Sequence, residues 1–313
     1  MPLVLVIAGL IALYIGAEGL VRGSSSIALR LGVSSLLVGL TIVAFGTSAP
    51  ELCVSVLAGL KQKGAVATGN VIGSNIFNIA VILGISALLR PVRIHQNLVR
   101  RDIPIMFGVA LIAVLLVYFG WLGRISGIAL CTALIIYVII CIRWARRESP
   151  RNQDAFRAAL EPSLRGWSID AIRIGGGLLL LGFGSQWFVS GSVSLARSLG
   201  VSEAVIGLTL VAAGTSLPEL ATSLVAAWKH QPDIAVGNVV GSNIFNVLGV
   251  LGAASLVSPL NASAITIPDL ITLVVISLVL LPFAFTGFVL SRREGGVLIG
   301  MYLVYLCWLW LHL

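Results

Sequence analysis

The chain has 313 residues, 58% of them hydrophobic and only 10% charged, with a formal net charge of +8. A soluble domain carries about 45–50% apolar and about 25% charged residues, so a soluble enzyme, a disordered chain and a secreted disulfide scaffold are excluded. The apolar stretches are continuous rather than alternating, which also excludes a membrane β-barrel.

Taken in chain order, the apolar runs predict ten transmembrane helices near 3–21, 36–60, 65–89, 103–120, 122–143, 170–190, 204–228, 234–257, 267–289 and 295–312. The first lacks a basic leader and a small-residue cleavage site, so it is read as a permanent helix. It and the sixth are free of strong breakers over 22–30 and 191–199, so both can extend beyond the bilayer. Cys53, Cys131, Cys141 and Cys307 lie in or beside apolar runs, without a CxxC pair. One connection is long and polar, 144–168, too short for a globular domain of its own.

The positive charge falls between the apolar runs. That placement predicts contact with anionic lipid headgroups, not with nucleic acid, and no protein partner is implied. With the N-terminus outside, sixteen Lys and Arg residues fall on the inner side and four on the outer. The positive-inside rule then puts both termini outside and the 144–168 linker in the cytoplasm.

The chain also repeats itself. LGVSSLLVGLTIVAFGTSAPEL at 31–52 matches LGVSEAVIGLTLVAAGTSLPEL at 199–220, and GNVIGSNIFN at 69–78 matches GNVVGSNIFN at 237–246, both with an offset of 168. Each copy holds five predicted spans, an odd number, so the second must enter the membrane from the opposite side. The expected fold is therefore an all-α polytopic membrane protein of two inverted five-helix repeats, 1–143 and 169–313, joined by the 144–168 linker. Such inverted repeats characterise secondary transporters.

Glu51 and Glu219 are the two acids deep in apolar spans, at equivalent positions of the repeats. A charged carboxylate at that depth is costly unless compensated, and no Lys or Arg lies at matching depth. A proton or a bound cation must balance each. Thr47 and Glu51 are four residues apart, as are Thr215 and Glu219, and that spacing predicts a shared helix face. Pro50 and Pro218 lack an N–H, which frees the carbonyls of Gly46 and Gly214 and predicts an unwound turn before each Glu. The third and eighth spans add Ser74, Asn75 and Asn78, and Ser242, Asn243 and Asn246. Asn70, Asn75, Asn238 and Asn243 are read as amides that join helices. Gly69/Gly73 and Gly237/Gly241 form GxxxG pairs, which predict close packing. The donor set is carboxylate, hydroxyl, amide and carbonyl oxygen, which suits a hard cation such as Ca2+ or Na+. No Cys or His joins it, so zinc, copper and serine-hydrolase chemistry are excluded, and no cofactor is expected.

At this point the doubled GTSAPEL/GNVIGSNIFN and GTSLPEL/GNVVGSNIFN motifs resemble the calcium/cation antiporter superfamily, which includes the sodium/calcium exchangers. The resemblance implies Na+/Ca2+ antiport by alternating access. It implies a central calcium site at Glu51, Glu219, Thr47 and Thr215. Neighbouring sodium sites would use Ser48, Ser216, Ser74, Ser242, Asn78, Asn246 and backbone oxygens near Ala44 and Ala212. It further implies that the first and sixth helices slide against the other eight. Some members carry Asp where Asn246 stands, the potassium-dependent branch among them. Animal members carry large cytoplasmic sensing domains for which 144–168 has no room, so the chain resembles the compact prokaryotic form, placed in the inner membrane. Two other functions fit the same residues: H+/Ca2+ exchange, since both Glu can carry protons, and a passive cation channel, against which the inverted repeat argues.

Overall fold

The computed structural model describes residues 2–145, 166–200, 212–263 and 265–311. Its elements are α1 (Pro2–Leu31), α2 (Ser35–Thr47), α3 (Ala49–Leu60), α4 (Gly64–Leu89), α5 (Leu98–Tyr118), α6 (Arg124–Ala145), α7 (Trp167–Ser198), α8 (Leu217–Trp228), α9 (Pro232–Val257), α10 (Ile267–Phe285) and α11 (Arg292–Leu311). A two-residue ribbon, β1 (Val92–Arg93) with β2 (Val289–Leu290), pairs Val92 with Leu290 in antiparallel register. The molecule is an all-helical polytopic membrane fold. Among the described residues eight helices are long and apolar enough to span, or nine if the bent pair α2–α3 counts as one. The first part of the predicted seventh span, 204–211, lies outside the described residues.

Several boundaries differ from the sequence expectation. Helices α1 and α7 run on to Leu31 and Ser198, as the lack of breakers there suggests. The 144–168 linker is shorter than expected, because α6 continues through Ala145 and α7 starts at Trp167. Residues 146–165 of it lie outside the described residues.

Helix α9 is buried without interruption from Ile234 to Gly252 and α4 along most of its length, so these two form the axis of the fold. Ile72, Ile76, Ile79 and Ile82 from α4 pack with Val239, Val240, Ile244 and Leu251 from α9. Exposed Leu, Ile and Trp side chains on α1, α6, α7 and α11 form the outer surface, as expected where the solvent is lipid.

Helices α1 and α7 lie against each other along their length through glycine. Gly9, Gly16 and Gly23 recur every seven residues, and Gly177, Gly184 and Gly191 repeat the pattern. Seven residues are close to two helical turns, so each set stays on one face. A Cβ at Gly16 would lie 2.8 Å from the Gly177 carbonyl oxygen, and one at Gly177 would lie 2.7 Å from that of Gly16. The pair is antiparallel, since Gly9 meets Gly184 and Phe188 while Gly23 meets Asp170 and Ile174. Buried Asp170 on α7 also accepts from Ser26 Oγ at 2.7 Å and Arg30 Nε at 2.8 Å on α1. Elsewhere Glu18 of α1 pairs with Lys229 just past α8, and Ser25 Oγ donates to Gln231 Oε1 at 2.5 Å.

Candidate cation site

The local sequence builds the site by breaking two helices. Helix α2 ends at Thr47, Ser48 leaves helical geometry at φ −83°, ψ 8°, and α3 restarts at Ala49 with a bend of 46°. Pro50 falls in the first turn of α3, where its missing N–H has no intrahelical partner to lose. The second copy repeats this at Ser216 (φ −88°, ψ 8°) before α8, with Pro218 in the first turn. The break moves Glu51 and Glu219 from mid-span into the first turn of a helix. There the open N–H groups and the positive end of the helix dipole favour a carboxylate.

The break also revises the expected pairing. Thr47 and Glu51 do not share one continuous helix face, because the turn at Ser48 separates them. The side chains pair across the two copies instead. Ser48 Oγ donates to Glu219 Oε1 at 2.7 Å, and Ser216 Oγ donates to Glu51 Oε1 at 3.0 Å. Thr47 Oγ1 donates to Asn238 Oδ1 at 3.1 Å, and Thr215 Oγ1 to Asn70 Oδ1 at 3.2 Å. Asn70 Nδ2 in turn donates to Ser55 Oγ at 3.0 Å, and Asn238 Nδ2 to Ser223 Oγ at 3.0 Å. Each of these contacts in one copy has its counterpart in the other, 168 residues away. Asn70, Asn75, Asn238 and Asn243 all bridge helices, as the sequence suggests.

Ser74, Asn78, Ser242 and Asn246 come from α4 and α9 and are buried. Both helices widen into π-helical turns there, Asn78–Leu83 and Asn246–Leu251, which begin at the two asparagines. Such turns are frequent at functional sites and have no simple sequence signature. The buried side-chain atoms without a partner include Glu51 Oε2, Glu219 Oε2, Ser74 Oγ, Ser242 Oγ, Asn78 Oδ1 and Asn246 Oδ1, equivalent atoms from both copies. Buried oxygens are rarely left unsatisfied. Among the described residues neither Glu forms an ion pair, and no group of three or more His, Cys, Asp or Glu could hold a metal. The oxygens open to a cation come from mixed polar groups.

Three positions depart from the expected pattern. The Ala44 carbonyl accepts both the Ser48 N–H at 3.0 Å and the Thr47 hydroxyl at 3.4 Å, so it is not an open oxygen in this structure. Ala212 opens the short turn Ala212–Gly214, and its side chain lies outside the described residues. The Gly214 carbonyl, expected to be free, accepts from Ser185 Oγ at 2.6 Å. Ser185 was not singled out from sequence, and its equivalent in the first copy is Ala17, so the repeat gives no sign of it. Gly237 and Gly241 pack closely as expected, with a Cβ at Gly241 only 2.6 Å from the Leu40 oxygen. Among the described residues the Gly69/Gly73 pair shows no such close approach: a Cβ at Gly69 would lie 3.6 Å from Ile265 Cδ1, and one at Gly73 would meet nothing within 4 Å.

The two sides of the site are not equally enclosed. Thr47 and Asn238 are buried, whereas Thr215 and Asn70 are half-buried. Thr215 lines a cavity of about 500 Å³ with Pro50, Val54, Ser185, Gln186 and Gly214.

The sodium/calcium exchanger protein family model matches residues 1–143 and 171–311. The chain belongs to this family. Relatives of similar size include the sodium/calcium exchanger MaX1 of Methanosarcina acetivorans, 33% identical over 95% of both chains. The inner membrane protein YrbG of Escherichia coli is 36% identical over 82% of this chain and 79% of its own. Among solved structures, the sodium-calcium exchanger NCX_Mj soaked with 10 mM Na+ and 10 mM Sr2+ superposes with a TM-score of 0.82. It is 32% identical, over 98% of this chain and 97% of that one. Family members of this kind are transporters, not enzymes.

Proposed function

We propose that this protein is a secondary active antiporter that extrudes Ca2+ against an inward flow of Na+. The observation that carries the reading is the crossed pair of Glu51 and Glu219. Both are fully buried, and each keeps one carboxylate oxygen unpartnered and the other held by a serine of the opposite copy. Two such charges at that depth need a cation. One Ca2+ or two Na+ balance them equally, so the two ions compete for one charge complement. Glu51, Glu219, Thr47 and Thr215 are assigned to Ca2+. Ser48, Ser216, Ser74, Ser242, Asn78, Asn246 and backbone oxygens near Ala44 and Ala212 are assigned to neighbouring Na+. Membership of the exchanger family, and the exchange for which MaX1 is named, favour Na+ over H+ as the coupling ion.

The reciprocal contacts support two five-helix repeats, 1–143 and 169–313, related by a two-fold axis in the membrane plane, giving ten spans. A contact returned in this way is what two-fold symmetry generates. The charge distribution supports both termini outside, the linker in the cytoplasm and insertion in a prokaryotic inner membrane. In that orientation Val54 of α3 and Val189 and Ser190 of α7, which line the cavity beside Thr215, fall on the outer half of their spans. The glycine interlock of α1 with α7 favours movement of those two helices as one body against the rest.

The test is radioactive calcium uptake into proteoliposomes of purified protein, with Na+, H+ and K+ gradients imposed in turn. Saturable uptake that follows an outward Na+ gradient is expected. Uptake that follows a pH gradient without Na+ would replace Na+ by H+, and flux that does not saturate would indicate a channel. Reporter fusions within 146–165 should read cytoplasmic and fusions at Leu313 external. A cytoplasmic C-terminus would overturn the ten-span, inverted arrangement.

A further inference from the structure

A side-chain amide offers an oxygen at one end and an N–H2 at the other, in nearly the same shape. Only the oxygen can face a cation, so an amide in a cation site needs something to fix which end points inward. At Asn246 that something is traceable. The backbone carbonyl of Asn243 can only accept, and Asn75 Nδ2 donates to it at 3.3 Å. Asn75 therefore presents Oδ1 to its other neighbour, where Asn246 Nδ2 donates at 3.1 Å. Asn246 Oδ1 is left facing away from Asn75, buried and without a protein partner.

A second chain of the same kind sets Asn78. Asn243 Nδ2 lies 3.5 Å from the Met106 Sδ, a thioether that can only accept. Asn243 Oδ1 therefore receives Asn78 Nδ2 at 3.1 Å, and Asn78 Oδ1 is the end left open. Flipping either amide would set one N–H2 against another in a buried site, with two donors unsatisfied. The two chains end on different acceptors, a carbonyl and a thioether, yet both leave an oxygen open.

The geometry points to Asn75 and Asn243 as positioning residues for ion exchange. They fix the amide polarity of Asn246 and Asn78, so that the oxygen and not the nitrogen is offered to the transported Na+. This rests on the reading above that Asn78 and Asn246 are ion ligands.

The experiment separates the two. Na+-driven calcium uptake in proteoliposomes is measured for Asn246→Ala, Asn75→Leu, Asn246→Asp and the double variant Asn75→Leu/Asn246→Asp, each across the same pH series, with the double variant compared with both of its single parents. Asn75→Leu should raise the half-saturating Na+ concentration about tenfold, with the maximal rate changed less than about twofold, the scale expected for losing one ligand oxygen. The double variant should return it to within about threefold of wild type, because a carboxylate presents an oxygen whichever way it turns. A purely structural defect at Asn75 would not be rescued by a change at Asn246. Failure of that rescue, or unchanged Na+ dependence in Asn75→Leu, overturns the positioning role. Unchanged Na+ dependence in Asn246→Ala overturns the ligand role on which it rests. Should Asn75→Leu not yield folded protein, Asn243→Leu with Asn78→Asp poses the same question through the other chain, and absence of rescue there overturns the proposal equally.

Discussion

Ser48 and Glu219 lie 171 residues apart in the chain and are joined by a 2.7 Å hydrogen bond in which the hydroxyl donates to the carboxylate. Ser216 and Glu51 return it at 3.0 Å. Each acid is thus oriented by the turn that breaks the other copy's helix. A change in spacing between the copies must alter both carboxylates together. That is a property an exchanger needs if one charge complement is to serve both ions.

Glu51→Gln and Glu219→Gln should each abolish exchange while leaving folded protein extractable. The amide still accepts from its serine, so the helix turn keeps its hydrogen bond, but half of the formal charge facing a divalent ion is gone. A desolvated Ca2+ has no other source for it. Calcium uptake beside size-exclusion profiles of the purified variants provides the check. Near-normal uptake by either variant would make the buried acids structural.

Thr47→Val and Thr215→Val should raise the Michaelis constant for Ca2+, and their stabilities should differ. Thr47 and its acceptor Asn238 are both buried. Valine there strands a buried acceptor, at a cost of about 1–3 kcal/mol. Thr215 and Asn70 are half-buried, so water can replace the lost donor. Thermal unfolding in detergent should show a lower Tm for Thr47→Val than for Thr215→Val. Unchanged calcium kinetics in both would move the site away from these hydroxyls.

Wild-type exchange should not require K+, and Asn246→Asp should introduce dependence on pH. The site charge rests on two carboxylates, which one Ca2+ balances, so a K+ beside it would leave the buried site positive. A third carboxylate near the other two will have a raised pKa, because like charges disfavour ionisation. Above that pKa the variant carries the extra charge and should gain from K+. Below it the side chain is neutral and the variant should behave like wild type. Calcium flux with K+ replaced by choline, across a pH series, reads both outcomes. A strict K+ requirement in the wild type refutes the charge argument.

Gly16→Leu should destabilise the protein more than any exposed change on the same pair of helices. The new Cβ would lie 2.8 Å from the Gly177 carbonyl oxygen and 2.9 Å from the Leu181 nitrogen, backbone atoms that cannot rotate away. Overpacking of this kind costs about 1–3 kcal/mol, and separating α1 from α7 would also disturb transport. Gly175→Ala on α7 serves as the control, since a Cβ there meets nothing within 4 Å among the described residues. Equal Tm values for the two variants would show that the glycine contact is not tight.

The membrane class, the doubled motif, the paired acids and the oxygen-rich donor set were legible in the one-dimensional sequence. Apolar run length and an offset of 168 are properties of the chain itself, independent of how it packs. Pro50 and Pro218 likewise announce a break, since a missing N–H acts within one helical turn. Which groups meet was decided only by the tertiary structure. The expected Thr47–Glu51 face was replaced by the crossed contacts of Ser48 with Glu219 and Thr47 with Asn238, because the break at Ser48 reoriented one helix against the opposite copy. The capping of Gly214 by Ser185 and the amide chains through Asn75 and Asn243 depend on donors and acceptors from separate helices. A hydrogen bond has direction, and that direction is set only once both partners are in place.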